Sequence, residues 1–189
     1  MKNIAIFGAS RAGKSTLARM LNEKYPHYHI ISGDSIRCAF QYELPQNEIN
    51  KYGGRGMKED YSRFCASLFK NQAKRNRRYF NYIFDSCDIS VANALKYFKD
   101  ENTIVIFLGY SKITKEEALS NYRKYEQKDD WTSDRTDIEL LEHAEHWIEN
   151  SKIFENDCKL NNLKYVDTSF NRNEILENLA KEIARECKE

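Results

Sequence analysis

The sequence predicts an α/β protein built on a five-stranded parallel sheet with helices on both faces. Three observations carry that prediction. Five short apolar runs are spread along the 189 residues. Amphipathic segments long enough for helices lie between them. The run at 103–108 is apolar throughout, as a parallel strand buried on both faces must be.

The strands in order are residues 4–7, 28–31, 82–84, 103–108 and 164–166. The helices are read at 15–24, 61–79, 89–98, 137–154 and 174–187. In 89–98, Ile89, Ala92, Leu95 and Phe98 recur at three-residue steps. In the last segment Ile175, Leu176, Leu179, Ile183 and Cys187 form one apolar stripe. Right-handed crossovers place all strand C-termini along one edge, where ligands of such sheets bind. The residues that follow each strand are therefore the ones to read for chemistry. Two stretches break the rhythm, 41–60 and 120–136, and are expected as irregular pieces over that edge.

Composition narrows the class. The length suits one domain, and 41% hydrophobic with 31% charged residues suits a globular chain. A net charge of +1 gives no global bias toward nucleic acid or membrane. No apolar run approaches the ~20 residues of a membrane span. The five cysteines, Cys38, Cys65, Cys87, Cys158 and Cys187, form no CxxC pair and are odd in number, and no signal segment is read at the start. A reducing cytoplasmic setting with free thiols is expected.

Directly after the first strand stands Gly8-Ala9-Ser10-Arg11-Ala12-Gly13-Lys14-Ser15-Thr16, the full G-x-x-x-x-G-K-[ST] pattern between a strand and a helix. Its glycines permit backbone angles and close approach that a side chain would block. Its N–H groups, with the helix N-terminus behind them, form an anion cradle. Residues Gly8 through Thr16 are thus the candidate nucleoside triphosphate site. Lys14 is placed for the β- and γ-phosphates, Ser15 for Mg²⁺, and Thr16 near the α-phosphate.

The second strand is followed by Asp34 and, one helical turn on, Arg37. A carboxylate here can accept a proton from an incoming hydroxyl, and a guanidinium can hold an acceptor phosphate or carboxylate. The plain alternative is a helix cap paired with a nearby arginine. Asp85 ends the third strand, where it can hold a Mg²⁺-bound water or a polar group of the acceptor; Asp88 is three residues on. Arg55, between glycines, is a candidate acceptor contact. The basic cluster from Lys58 to Arg78 reads first as the solvated face of a helix, with an anionic acceptor as the alternative.

Arg123 and Arg135 flank a charged stretch centred on Trp131. Phosphoryl transfer needs cations that arrive with the substrates and exclude water, and these two are the candidates; the plain alternative is a polar connector whose charges satisfy one another. After the last strand, Arg172 can lie over a nucleotide base while the backbone near Thr168 reads its edge; capping of the terminal helix is the competing use. His143 and His146 are three apart on a helix and are read as structural, since two histidines do not make a metal site.

With these residues in place, the chain resembles the P-loop nucleoside, nucleotide and small-molecule kinases, of which adenylate kinase is the familiar type. The resemblance is sharpest at Gly8 to Thr16. It implies a P-loop NTPase three-layer α/β/α fold in one domain over 1–189, with an acceptor-binding helical region at 41–80 and a helical lid at 120–136. It implies ATP and Mg²⁺ at Gly8, Gly13, Lys14 and Ser15, and lid arginines at Arg123 and Arg135. The Asp34-Ser35-Ile36-Arg37 piece is similar to the aspartate-x-x-arginine element of polynucleotide 5′-hydroxyl kinases. After the third strand the chain reads Phe84-Asp85-Ser86-Cys87-Asp88, not the aspartate-glycine-phenylalanine-proline-arginine pattern of adenylate kinases. That departure argues against an AMP-like acceptor.

The function expected is transfer of the γ-phosphoryl group of ATP to a small-molecule hydroxyl or phosphate, with a nucleoside- or nucleotide-like acceptor. A polynucleotide 5′-hydroxyl kinase acting on nucleic-acid ends is the second reading. A nucleotide-hydrolysing switch without a phosphorylated acceptor is the third.

Overall fold

The structure, a computed structural model, describes residues 2–44, 59–128 and 130–187. The five expected strands form one parallel sheet: β1 Asn3–Gly8, β2 Tyr28–Ser32, β3 Asn81–Ser86, β4 Thr103–Gly109 and β5 Lys164–Asp167, in the order β2-β3-β1-β4-β5. The glycine-loop strand β1 lies at the centre, paired with β3 and β4 (Ile4 opposite Ile83 and Ile104). Its residues from Ile4 to Phe7 are fully buried. Phe7 meets the rings of Phe84, Phe98 and Phe107 at centroid distances of 6.1, 4.9 and 5.4 Å. Burying one such side chain is worth about 2 kcal/mol, so this aromatic knot anchors the strand that launches the loop.

Helices cover both faces of the sheet, giving three layers. They are α1 Lys14–Lys24, α2 Gly33–Glu43, α3 Glu59–Asn76, α4 Val91–Asn93 running into a π-helical turn Ala94–Phe98, α5 Lys115–Lys124, α6 Asp137–Leu160 and α7 Arg172–Glu186. The amphipathic segment expected at 89–98 thus ends in a wider turn, closed by the Lys99 N–H on the Ala94 carbonyl. Helix α6 continues past 154 because its apolar face does: Cys158 is fully buried.

One expectation is corrected. The stretch 120–136 is not irregular throughout, since α5 runs to Lys124. Its start is fixed by a capping box in which the Thr114 hydroxyl accepts from the Glu117 N–H and the Glu117 carboxylate accepts from the Thr114 N–H. Turns occupy the segment between α5 and α6. A second capping box, Thr136 with Glu139, opens α6.

Candidate active site

The loop between β1 and α1 takes a conformation that favours glycine at two positions. Gly8 and Gly13 have φ of +119° and +102°. A Cβ at Gly8 would lie 1.9 Å from the Leu108 carbonyl oxygen, and one at Gly13 would lie 2.7 Å from Leu176 Cδ1. Arg11 also has a positive φ, +65°.

Neighbouring strands hold the loop in place. The Ala9 N–H donates to the Leu108 carbonyl at 2.9 Å. The Tyr110 hydroxyl donates to the Ser10 carbonyl at 2.9 Å, and Thr168 Oγ1 donates to the Ala12 carbonyl at 3.0 Å. Lys14 is buried, with its ammonium donating to the Ala9 carbonyl at 2.7 Å.

Ser15 Oγ donates to Asp85 Oδ2 at 2.7 Å, joining loop and β3 end. Asp85 is buried, and its second oxygen, Oδ1, has no hydrogen-bond partner. Burial pushes its carboxyl above the usual carboxylate range, while Ser15 and the Lys14 ammonium pull it partway back. A hydroxyl beside a carboxylate with an unpaired buried oxygen is a donor set that suits a hard cation such as Mg²⁺.

Beside this pair, at the ends of β2 and β3, lies a second charged cluster. Arg37 Nε is 3.2 Å from Asp88 Oδ2, and its Nη2 is 3.7 Å from Asp34 Oδ1. Arg37 Nη1 donates to Gln41 Oε1 at 3.2 Å. Asp88 is fully buried; burial lifts its carboxyl to about 6 against the pull of Arg37. Burial works against the Arg37 cation too, but Asp88 and Asp34 outweigh it and hold the guanidinium above its ordinary range. Asp34 keeps its side chain 61% exposed, open to an incoming molecule. The charges of Lys14 and Asp34 act on both Asp85 and Asp88, so the two clusters are electrostatically coupled. Arg55 lies outside the described residues.

On the other flank, a cleft of about 510 Å³ opens between α5 and the loop after β5, lined by Asn121, Tyr125, Phe170 and Arg172 among others. The Arg172 guanidinium lies 4.6 Å from the centre of the Tyr125 ring and donates to Thr16 Oγ1 at 3.2 Å. Its Nε is buried without a hydrogen-bond partner.

The arginines expected in the lid sit differently. Arg123 is bonded to Asp137, to Glu126 and to the carbonyls of Thr132 and Arg135. Arg135 donates to Glu139 at 3.0 Å. Both are thus bonded to groups of the connector and of the start of α6. The cation that joins lid and loop is Arg11, which donates to Asp130 Oδ2 at 2.8 Å and to the Tyr122 carbonyl at 3.3 Å. The roles of Tyr110, of Tyr125 and of the Arg11–Asp130 pair are not among the sequence expectations. Tyr110 has a signal, its place directly after the buried strand β4; the other two have none short of the fold.

Comparison with known proteins agrees with this layout. No protein-family model matches the chain. An adenylate kinase of Azobacteroides pseudotrichonymphae genomovar. CFP2 is 30% identical over 141 residues, 69% of this chain and 72% of the relative. An adenylate kinase of Borrelia duttonii (strain Ly) is 24% identical over 96% of this chain and 97% of the relative. Among solved structures, a shikimate kinase from Bacteroides thetaiotaomicron is similar with a TM-score of 0.57 at 14% identity, covering 97% of this chain and 98% of that one. A gluconokinase from Sinorhizobium meliloti 1021 is similar with a TM-score of 0.55 at 14% identity, covering 98% and 97%.

The fold, with its glycine loop on the central strand, is that of a P-loop small-molecule kinase. The chain belongs to the adenylate kinase-like family of these P-loop kinases. That kinship supports a phosphotransferase of this general kind and leaves the acceptor open. Among the described residues, no helix is long and apolar enough to cross a membrane.

Proposed function

We propose that this protein transfers the γ-phosphoryl group of ATP to a hydroxyl or phosphate of a small, nucleoside- or nucleotide-like acceptor. The observation that carries the reading is the meeting of two sets of side chains at one sheet edge. Lys14, Ser15 and Asp85 form the donor side. Asp34, Arg37 and Asp88 form the acceptor side next to it.

In this reading the loop N–H groups and Lys14 bind the phosphates, with the ammonium exchanging the Ala9 carbonyl for phosphate oxygens. Ser15 and Asp85 would hold the Mg²⁺, which when bound neutralises phosphate charge. Asp34, exposed and acidic, orients the acceptor and takes its hydroxyl proton. Arg37, fixed by Asp88, sets the acceptor's place; Arg55 is a further contact. Arg172 with Tyr125 takes the base. Arg11, Arg123 and Arg135 are the cations that can steady transferred charge, each exchanging its present carboxylate partner for it: Asp130 for Arg11, Asp137 and Glu126 for Arg123, and Glu139 for Arg135. Catalysis in this scheme is positioning plus electrostatics.

A transfer assay with γ-labelled ATP over pooled metabolites and oligonucleotide ends tests it. The expected result is a labelled small molecule, lost in Lys14→Ala and reduced by on the order of a hundredfold in Asp34→Ala. Label on oligonucleotide ends would replace this reading by a polynucleotide 5′-hydroxyl kinase. Label in inorganic phosphate alone would replace it by a nucleotide-hydrolysing switch.

A further inference from the structure

A chain of hydrogen bonds runs from the core of α6 to the phosphate-binding loop. Trp147 Nε1–H donates to His143 Nε2 at 3.0 Å. His143 Nδ1 is 3.4 Å from the Tyr122 hydroxyl, which is 2.7 Å from the Tyr110 hydroxyl. Tyr110 donates to the Ser10 carbonyl at 2.9 Å. Its two ends have fixed roles: an indole N–H can only donate and a carbonyl can only accept. Every link between them is then determined. His143, accepting at Nε2, carries its proton on Nδ1 and donates to Tyr122; Tyr122 donates to Tyr110; Tyr110 donates to Ser10.

The surroundings keep the chain in this one state. Burial, with Arg11, Arg135 and His146 nearby, lowers His143 to about 4, so the ring is neutral. Burial raises Tyr122 to about 12 and Tyr110 well above its usual range, so both phenols keep their protons. The chain also touches the lid. The Trp131 ring lies 4.5 Å from His143, and Arg11 donates to the Tyr122 carbonyl while pairing with Asp130.

We propose that His143 is a positioning residue for the phosphate-binding loop, acting through Tyr122 and Tyr110 to hold the Ser10 carbonyl turned out of the cradle. In a planar trans peptide the N–H of the next residue points opposite to the carbonyl. Fixing Ser10 C=O on Tyr110 therefore fixes the Arg11 N–H on the opposite side, as a preset donor to phosphate. Trp131, seated on His143, ties this setting to the lid. The inference rests on ATP binding at the loop.

Substitution at His143 separates hydrogen-bond direction from packing. Glutamine offers one acceptor and one donor and can replace both links, whereas leucine fills the space and offers neither. Calorimetry with Mg·ATP should show His143→Gln near wild type and His143→Leu weaker by roughly five- to tenfold, with Tyr110→Phe similar to the leucine variant. The His143→Leu, Tyr110→Phe double variant should be no weaker than either single one, because both cut one chain. Without nucleotide, the Arg11 and Ala12 amides should exchange with solvent faster in His143→Leu than in His143→Gln. Wild-type binding with equal affinities and equal exchange in the glutamine and leucine variants would overturn the proposal, as would additive losses in the double variant. Failure of the wild type itself to bind ATP would instead strike the proposed function.

Discussion

Asp85 carries two opposed demands at the level of a single residue. Burial favours its neutral form, yet Ser15 and Lys14 are arranged for its anion. An asparagine there keeps an acceptor for Ser15 and removes the buried charge. Asp85→Asn is therefore expected to melt at or above the wild-type temperature without nucleotide. It should lose the part of the ATP-induced stabilisation that depends on Mg²⁺, and thermal melts with ATP in the presence and absence of Mg²⁺ check both halves. Asp34 differs in that it is open to solvent, so its substitution tests chemistry with little cost to folding. Arg37 is the reverse: removing it leaves the fully buried Asp88 without its cation.

Among the elements, α5 most changes the reading of the chain. It supplies Tyr122 to the hydrogen-bond chain and Asn121 to the cleft beside Arg172. Its register is set by the Thr114 and Glu117 capping box. Loss of the cap through Thr114→Ala is expected to cost about 1 kcal/mol in urea unfolding. Its effect on function should appear as a raised KM for ATP with kcat nearly kept, since in the proposed function the helix lines the nucleotide cleft and not the Asp34–Arg37 cluster. The bonds from Arg123 to Asp137, Glu126 and two carbonyls tie the end of α5 to the start of α6.

Across the whole molecule, two buried groups give stability opposite dependences on pH. His143 is lowered from 6.5 to about 4, so the unfolded chain takes up its proton first; this contribution is intact above 6.5 and is lost as pH falls toward 4. Asp88 is raised from 3.8 to about 6, so the folded chain holds its proton longer; this contribution is intact below 3.8 and is lost as pH rises through 6. Each displacement corresponds to about 3 kcal/mol. Difference curves of unfolding free energy against pH should then diverge in opposite senses. Asp88→Asn gains on the wild type as pH rises from about 4 to about 7, and His143→Gln gains as pH falls over the same span. Parallel curves would mean that neither group is shifted by the fold.

How much of this was legible beforehand follows from the range of each interaction. The five strands, the loop from Gly8 to Thr16 and the edge positions Asp34, Asp85 and Arg172 all announce themselves within a few neighbouring residues. Apolar runs, glycine spacing and strand ends are local properties. The sequence by itself therefore determined the sheet, the identity of the phosphate loop and the edge at which chemistry gathers. Only the tertiary structure decided which side chains meet there. Arg11 reaches Asp130 across 119 positions, and Tyr110 reaches back 100 positions to Ser10. Arg123, a candidate lid cation in the sequence, is held by Asp137, Glu126 and the carbonyls of Thr132 and Arg135, so here the plain alternative of charges that satisfy one another describes its contacts. Such pairings arise from how elements pack, and no periodicity along the chain encodes them.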